Sequence, residues 1–207
     1  MVGLGSGRAA TAAIRRIGDR VHNEGLRITA VAASRPSHDL AGELGIPLLE
    51  PESLSRLDIT IDGADEADPL LNVIKGGGGA LVREKLLAEV SDRLVLQIEE
   101  PKQVAQLGHF HLPVAVIPFA WRSTASRLER HCKSAILRSE DGRPFVTDDG
   151  LFLLDLETGP ITDVVDLERI LRSEIGVVEV GLFVGLCNLL VIGHEDGTVT
   201  EKSRLYE

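Results

Sequence analysis

The sequence predicts an α/β protein in which helices cover a sheet of parallel strands and a second, α+β segment is inserted. Apolar, β-branched runs at 27–33, 57–61 and 94–98 alternate with helical periodicity, and this alternation indicates βαβ units with right-handed crossovers. After Pro113 the order of predicted elements becomes βαββαβ. Aromatic residues make up only 3% of the chain, so its core must be built from Val, Leu, Ile and Ala, which suits a sheet covered by helices.

The helices of the first part follow from apolar residues that recur at helical spacing. They are predicted over 9–21, 37–44 and 80–90, between and beside the strands. Four residues of the third helix are expected to point inward: Leu81, Leu86, Leu87 and Val90. A later apolar run at 189–192, followed by a turn at 195–197, is expected to return to the first sheet.

The segment after Pro113 has a pattern of its own. Its predicted elements are, in order, strand 114–117, helix 123–131, strands 135–138 and 152–156, helix 166–174 and strand 177–183. An Asp-Asp-Gly turn at 148–150 supplies the hairpin between the two middle strands. This order is that of a ferredoxin-like unit, so residues 112–180 are predicted to form one domain, and residues 1–111 with 181–207 the other.

Charge and composition exclude several classes of protein. The net charge of −10 over 207 residues is opposite to the basic surface of a nucleic-acid binder. Cys132 and Cys187 lie too far apart in sequence for a zinc motif or a disulfide framework, which fits a reducing cytoplasm. No apolar run approaches the roughly 18 residues of a membrane span, and the amino terminus lacks the regions of a signal peptide. We therefore expect a soluble cytoplasmic protein with neither a nucleic-acid nor a membrane partner.

Three loops hold residues that can carry chemistry, and the first is Gly-Leu-Gly-Ser-Gly at 3–7. It precedes the first predicted helix, so its backbone N–H groups and the helix N-terminus can bind a phosphate. The loop is not a dinucleotide fingerprint, because Arg8 stands where the third glycine is needed, and it lacks the Gly-Lys-Ser/Thr of a Walker loop. A plain glycine turn between a strand and a helix remains the alternative.

The second loop is acidic and follows the predicted strand that ends at Ile61. Asp62, Asp65, Glu66 and Asp68 place four carboxylates in seven residues, at the strand's carboxyl end, where open α/β sheets bind ligands. The alternatives are a solvated acidic loop, a site for a hard cation and a site for proton transfer. The spacing does not fit an EF-hand, because alanines occupy positions that need an Asp or Asn and a Gly.

The third loop, at 75–79, is a lysine followed by four glycines. Consecutive glycines have a large conformational-entropy cost, so close approach of the backbone to a ligand explains them better than a mere connection does. Glu84 follows early in the next predicted helix. It is either an inert acid that complements the helix dipole or a base that faces a pocket, and spacing alone does not decide between the two.

Together these loops resemble those of the A type of ribose-5-phosphate isomerase. The family motifs G-x-G-[ST]-G, D-G-A-D-E, K-G-G-G-x-A-L-x-R-E-K and K-Q-V stand at 3–7, 62–66, 75–85 and 102–104, and the resemblance extends to about Gly197. It implies a Rossmann-like sheet domain with an inserted ferredoxin-like domain. It also implies a homodimer or homotetramer that works without a metal or an organic cofactor.

The resemblance further implies an aldose–ketose isomerase that interconverts D-ribose 5-phosphate and D-ribulose 5-phosphate through an enediolate, in the non-oxidative pentose phosphate pathway. It makes Glu84 the proton acceptor. From what such a reaction needs, Asp62 and Asp65 are expected to hold the sugar hydroxyls, and Lys75 to stabilise the developing oxyanion. The residues expected to bind the sugar phosphate are Ser6, Gly7, Arg8, Ala9, Asp62, Gly63, Ala64, Asp65, Lys75, Gly76, Gly77, Gly78 and Lys102.

The chain departs from the family pattern in two places. Where the family usually has Ser-Thr after the glycine loop, this chain has Arg8 and Ala9, so a guanidinium that can bind phosphate bidentately replaces two hydroxyl donors. The family has a helix and a strand before that loop, but here only Met1 and Val2 precede it, and we expect the natural protein to begin upstream. A non-catalytic sugar-phosphate-binding module, or a related CoA-transferase or aminosugar-phosphate deaminase, is disfavoured because the acidic and glycine motifs belong to the isomerase pattern.

Overall fold

The computed structural model of the protein describes residues 1–204, which form two compact units. The first unit comprises Met1–Gly63, Arg83–Glu100 and the residues from Leu186 onward, and the second comprises Ala64–Val82 and Pro101–Gly185. These units differ from the predicted domains in placing 64–82, 101–111 and 181–185 with the ferredoxin-like segment, and the domain boundaries stay a prediction. Within residues 1–204, no helix is both long and apolar enough to cross a membrane.

The helices and strands of these residues follow the chain in this order. The helices are α1 (Gly7–Glu24), α2 (Arg35–Glu43), α3 (Leu81–Glu89), α4 (Trp121–Leu128) and α5 (Val164–Ser173). The strands are β1 (Val2–Leu4), β2 (Ala30–Ala32), β3 (Ile59–Gly63), β4 (Glu66–Ala67), β5 (Val73–Ile74), β6 (Leu94–Glu99), β7 (Leu112–Val116), β8 (Ser134–Leu137), β9 (Ser139–Glu140), β10 (Arg143–Pro144), β11 (Phe152–Glu157), β12 (Val177–Val180), β13 (Leu182–Phe183), β14 (Cys187–Gly193) and β15 (Val199–Ser203). Short 3₁₀ turns lie at Pro51–Ser53 and Glu100–Lys102.

The first unit is built on a six-stranded sheet in the order β15-β14-β6-β3-β1-β2. Strands β2, β1, β3, β6 and β14 are parallel, with Val2 opposite both Ala30 and Ile59, and β15 adds an antiparallel edge. The predicted return of the run at 189–192 to this sheet is confirmed, because β14 pairs with β6. The parallel pairing of β1 with β3 brings the glycine loop and Asp62 to the same edge of the sheet.

Helices α1 and α2 pack on this sheet. An apolar cluster joins them to it: Val2, Leu4, Ile14, Ala30, Ala41 and Ile46. The first helix ends at Gly25, whose φ of 69° is the left-handed conformation that favours glycine at a helix C-terminus. The second begins after Ser34, whose side chain accepts the N–H of Ser37 and so satisfies one of the unpaired donors of the first turn.

The buried face of α3 differs from the prediction at one residue. Leu87 is buried as expected, but Leu86 is 60% exposed, so the prediction that it points inward is wrong. The reason is helical spacing: Leu81, Glu84 and Lys85 lie on one face and are all buried, and Leu86 points away from that face. The buried face of α3 therefore includes two charged side chains that the apolar pattern did not place there.

The second unit contains an antiparallel four-stranded sheet in the order β12-β7-β11-β8. With α4 and α5 in its connections, the chain order is βαββαβ, which confirms the predicted ferredoxin-like unit. Its core lies between sheet and helices and includes Leu112, Val114, Val116, Leu128, Leu154 and Leu171. The turn at 148–150 joins the bridged residues Val146 and Phe152, as predicted, and the structure adds a small hairpin of β9 and β10 before it.

A small three-stranded sheet, in the order β13-β5-β4, completes the second unit. The single strand predicted over 177–183 is divided at Gly181 between this sheet and the larger one. Gly181 donates its N–H to the Pro113 carbonyl and accepts the Lys75 N–H, both at 2.8 Å, and a side chain at position 181 would overlap the Lys75 carbonyl. The small sheet therefore fixes Lys75 at the end of β5.

Candidate active site

The glycine loop joins β1 to α1 in the first unit. Ser6 lies at the N-cap position of α1 with extended backbone, and Gly7 begins the helix with a φ of 86°, which favours glycine. The N–H of Gly5 donates to the Ile61 carbonyl at 2.9 Å. The loop is thus held beside the end of β3, and the first turn of α1 presents N–H groups that can bind an anion.

Asp62 lies directly against this loop. Its side chain is buried, and its Oδ1 accepts the N–H of Ser6 at 3.1 Å and the N–H of Gly63 at 2.7 Å. A side chain on Gly5 would overlap the Asp62 carboxyl group. The close approach of Asp62 therefore explains the glycine at position 5, and the loop is more than a plain turn.

A chain of serine hydroxyls holds the same loop from the side of β2. The Ser37 hydroxyl donates to the Gly5 carbonyl at 2.7 Å, the Ser34 hydroxyl to Ser37 at 3.0 Å, and the Ser6 hydroxyl to Ser34 at 3.1 Å. Ser34 and Ser37 are buried and are not among the predicted site residues. The signal that could have found them is a helix-capping serine at the carboxyl end of a parallel strand next to β1.

Arg8 and Ala9 follow the loop in the first turn of α1. The Arg8 side chain is 86% exposed, and its Nη2 lies 3.6 Å from an Oε2 of Glu99 that is itself largely exposed. Such an exposed ion pair contributes little to stability, so it does not hold the guanidinium in one place. The expected contact between Arg8 and a phosphate stays a prediction.

Glu84 lies in the first unit, in the first turn of α3. Only 4% of the residue is exposed, whereas Glu89 at the other end of the helix lies in solvent. A carboxylate that merely complements a helix dipole gains nothing from burial, because leaving water disfavours its charged form. The burial of Glu84 therefore favours the alternative in which it acts as a base.

In the second unit, Asp65 lies against the loop of four glycines. Its Oδ2 accepts the N–H of Gly77 at 2.8 Å, and a side chain on Gly77 would come within 2.7 Å of its Oδ1. The Nζ of Lys102 donates to the Ala64 carbonyl at 2.7 Å, on the residue before Asp65. The structure thus brings together four predicted site residues from three separate stretches of this unit.

Lys75 begins that loop and is 3% exposed. Its N–H donates to the carbonyl of Gly181, the residue before β13, and its Nζ lies 5.4 Å from the centre of the Phe183 ring. Gly76 follows with a φ of 105°, a conformation that side chains rarely adopt. The Lys75 ammonium is therefore buried, and its backbone is held in place by Gly181. Such an ammonium can stabilise negative charge more strongly than an ammonium in water.

The other two carboxylates of the acidic loop hold backbone. Glu66 is buried and accepts the N–H groups of Gly108 at 2.8 Å and Phe110 at 2.6 Å. Asp68 accepts the N–H groups of Leu70 and Asn72, both at 2.8 Å. The alternative of a solvated acidic loop is therefore wrong for Glu66, which fixes the segment after Lys102 to β4.

The histidines, cysteines and carboxylates of residues 1–204 are the side chains that a metal site or a reactive thiol would need. In the described part of the chain, no three His, Cys, Asp or Glu side chains are grouped so that they can hold a metal ion. Cys187 is buried, and burial raises the pKa of the Cys132 thiol, which disfavours the thiolate at neutral pH.

Comparison with known proteins gives the same family as the loops do. The family model of ribose 5-phosphate isomerase A, also called phosphoriboisomerase A, matches residues 29–197. The ribose-5-phosphate isomerase A of Jannaschia sp. is 45% identical over 205 residues, which are 96% of this chain and 78% of that protein. That of Thermomicrobium roseum is 45% identical over 208 residues, which are 99% of this chain and 87% of the relative.

Solved structures agree with these relatives. The ribose 5-phosphate isomerase from Plasmodium falciparum matches with a TM-score of 0.92 at 34% identity, over 99% of this chain and 91% of that one. A D-ribose-5-phosphate isomerase in complex with phospho-erythronic acid matches with a TM-score of 0.93 at 31% identity, over 98% and 90%. The resemblance predicted from the three loops is confirmed, and the chain belongs to the ribose 5-phosphate isomerase A family.

Proposed function

We propose that this protein interconverts D-ribose 5-phosphate and D-ribulose 5-phosphate, with Glu84 moving one proton between C2 and C1 through an enediolate. The reaction needs a base that removes the proton beside the carbonyl and returns it to the neighbouring carbon. The burial of Glu84 carries the proposal, because a carboxylate out of water is a stronger base than one in water. Carbon is not oxidised or reduced overall, so the reaction needs no redox cofactor.

The two aspartates, Asp62 and Asp65, hold the sugar hydroxyls. They also pass a hydroxyl proton between O1 and O2, which is separate from the proton that Glu84 moves between the carbons. Each has one oxygen fixed by a backbone N–H, of Ser6 and of Gly77 respectively, so its carboxyl group is oriented before substrate arrives. Such preorganisation lowers the barrier because the groups do not have to reorganise during the reaction. Lys75 supplies positive charge to the oxyanion of the enediolate.

The remaining predicted residues bind the substrate. Ser6, Gly7, Arg8 and Ala9 surround the start of α1, where N–H groups and the helix dipole favour a phosphate. The other predicted binding residues are neighbours of the two aspartates or of Lys75 in the sequence, together with Lys102: Gly63, Ala64, Gly76, Gly77 and Gly78.

The ligand of one similar structure supports this chemistry. Phospho-erythronic acid, bound by a D-ribose-5-phosphate isomerase 31% identical to this chain, carries a carboxylate with two oxygens on one trigonal carbon. That group resembles the charge and shape of an enediolate. We infer that the same sugar-phosphate chemistry is recognised here.

We further propose a homodimer or homotetramer in the cytoplasm that serves the non-oxidative pentose phosphate pathway. Neither a metal nor an organic cofactor takes part in the proposed steps. The partner is a small sugar phosphate, and the net charge of −10 argues against a nucleic acid.

Incubation of the purified protein with D-ribose 5-phosphate is expected to form D-ribulose 5-phosphate. In D₂O part of the product should carry deuterium at C1, namely from the turnovers in which the proton held by the Glu84 carboxylate exchanges with solvent before its return. Proton NMR follows both product and label. Saturable binding of the sugar phosphate without product would contradict the proposal, and would favour a non-catalytic binding module.

Gly5→Ala tests whether turnover depends on the close packing of the Asp62 carboxyl group against Gly5. The added methyl overlaps the Asp62 carboxyl group, so we expect kcat to fall at least about tenfold and the free energy of unfolding to fall by roughly 1–3 kcal/mol. Gly42→Ala in α2 is the control, because its methyl meets no atom within 4 Å and should leave kcat unchanged. Steady-state kinetics and thermal unfolding of both variants measure these effects. A normal kcat for Gly5→Ala would show that turnover does not depend on this packing of Asp62.

A further inference from the structure

Arg138 follows β8 of the ferredoxin-like sheet and is anchored there by Asp155 of β11. Its Nε donates to Asp155 Oδ2 at 2.9 Å, and its Nη2 donates to Oδ1 of the same carboxylate. The two side chains are only 16% and 20% exposed. This bidentate, largely desolvated pair holds the guanidinium plane in one orientation.

The third guanidinium nitrogen reaches the glycine loop. Nη1 of Arg138 donates to the carbonyls of Gly76 at 2.8 Å and Gly77 at 3.0 Å. All four residues belong to the second unit. A charged donor from one sheet therefore fixes two consecutive carbonyls of the loop that follows Lys75.

The peptide between Gly76 and Gly77 links this guanidinium to Asp65. Its carbonyl accepts from Arg138, and its N–H donates to Asp65 Oδ2 at 2.8 Å. In a trans peptide these two groups point in opposite directions, so the peptide lies between the cation and the carboxylate. A cation on the carbonyl polarises the amide and makes its N–H a stronger donor, since hydrogen bonds in a chain strengthen one another.

We propose that Arg138 is a positioning residue for the isomerisation: held by Asp155, it fixes and polarises the Gly76–Gly77 peptide and thereby orients the Asp65 carboxylate. This inference rests on the proposed function. Lysine cannot replace the arginine, because one ammonium does not provide the three separately directed nitrogens that bind Asp155 and the two carbonyls.

Arg138→Lys is expected to lower kcat for ribose 5-phosphate about tenfold, with a change in KM of less than about twofold, because a misoriented catalytic group lowers the rate more than it weakens binding. Asp155→Asn, a milder change, should shift kcat in the same direction by less. Arg127→Lys is the matched control, because Arg127 is also partly buried in this unit and paired with a carboxylate, Glu174, without contacting the loop. Its kcat should equal that of the unchanged protein.

A double-mutant cycle separates positioning from general destabilisation. If Arg138 acts through Asp65, Arg138→Lys should have little further effect on kcat in a protein that already carries Asp65→Asn. Equal fold-losses in both backgrounds, or an equal loss in Arg127→Lys, would overturn the inference.

An NMR measurement keeps the inference testable apart from activity. The Gly77 amide proton should move upfield in Arg138→Lys and Asp155→Asn but not in Arg127→Lys, because a less polarised N–H makes a weaker hydrogen bond. An unmoved resonance would overturn the role of Arg138. If the unchanged protein does not turn over ribose 5-phosphate, the proposed function fails, whereas the amide shift still decides whether Arg138 holds this peptide.

Discussion

Glu84→Gln is expected to lower kcat for ribose 5-phosphate at least about 100-fold, or about 3 kcal/mol of barrier, with little change in fold or in binding of the sugar phosphate. Glutamine keeps the size and hydrogen-bonding ability of the side chain, but it cannot accept a proton at working pH. Because Glu84 is 4% exposed, solvent cannot easily replace it as the base. Steady-state kinetics of the purified variant measure the loss directly.

Glu89→Gln provides the matched control for this prediction. It makes the same chemical change on the same helix, but at an exposed position, and should leave kcat unchanged. If Glu84 merely complemented the dipole of α3, its replacement would lower the free energy of unfolding by only about 0.3–1 kcal/mol and leave turnover nearly normal. Near-normal kcat with a lowered Tm would therefore remove Glu84 from the mechanism.

Much of the fold could be predicted from the sequence because its longer elements repeat an apolar pattern. The parallel strands, the βαββαβ segment and the return of β14 to the first sheet each bury a continuous apolar face. Strands β4 and β5 could not be predicted, since two residues are too few to show a period. Strand β15 could not be predicted either, because all five of its residues are exposed.

The site was predicted from loop motifs, but the side chains that hold those loops in place lie outside the motifs. Arg138 acts on a loop that precedes it by about 60 residues and reaches it only because β8 and β11 pair in the ferredoxin-like sheet. No spacing along the chain indicates such a contact. Ser34 and Ser37 likewise reach the glycine loop only through the pairing of β1 with β2.

The structure also changes the physical reason for two glycines. The sequence argument explained Gly77 by close approach of a ligand and placed Gly5 in a loop whose N–H groups bind a phosphate. In the structure, Gly5 makes room for the Asp62 carboxyl group and Gly77 makes room for that of Asp65. In both loops a glycine admits the carboxylate and a backbone N–H then fixes one of its oxygens, so the same device orients both aspartates.

The second large effect is expected for Lys75→Met, which should lower kcat about 10²- to 10³-fold, comparable to the loss of one oxyanion donor. Methionine fills a similar volume and keeps a favourable contact with the Phe183 ring, so the folded structure should persist. What it removes is the positive charge at the end of β5, where we place the oxyanion of the enediolate. The effect should fall mainly on kcat, because that negative charge develops only during the reaction.

Lys133→Met is the control for the loss of a lysine charge from the same unit. Its ammonium is 70% exposed and 3.3 Å from Glu157, so its removal should change neither kcat nor KM appreciably. If Lys75 only packed against Phe183, its replacement would lower Tm, and kcat would fall only in proportion to the fraction of unfolded protein. Kinetics well below Tm distinguish the two roles, and a normal kcat in a folded Lys75→Met protein would exclude the ammonium from stabilising the enediolate.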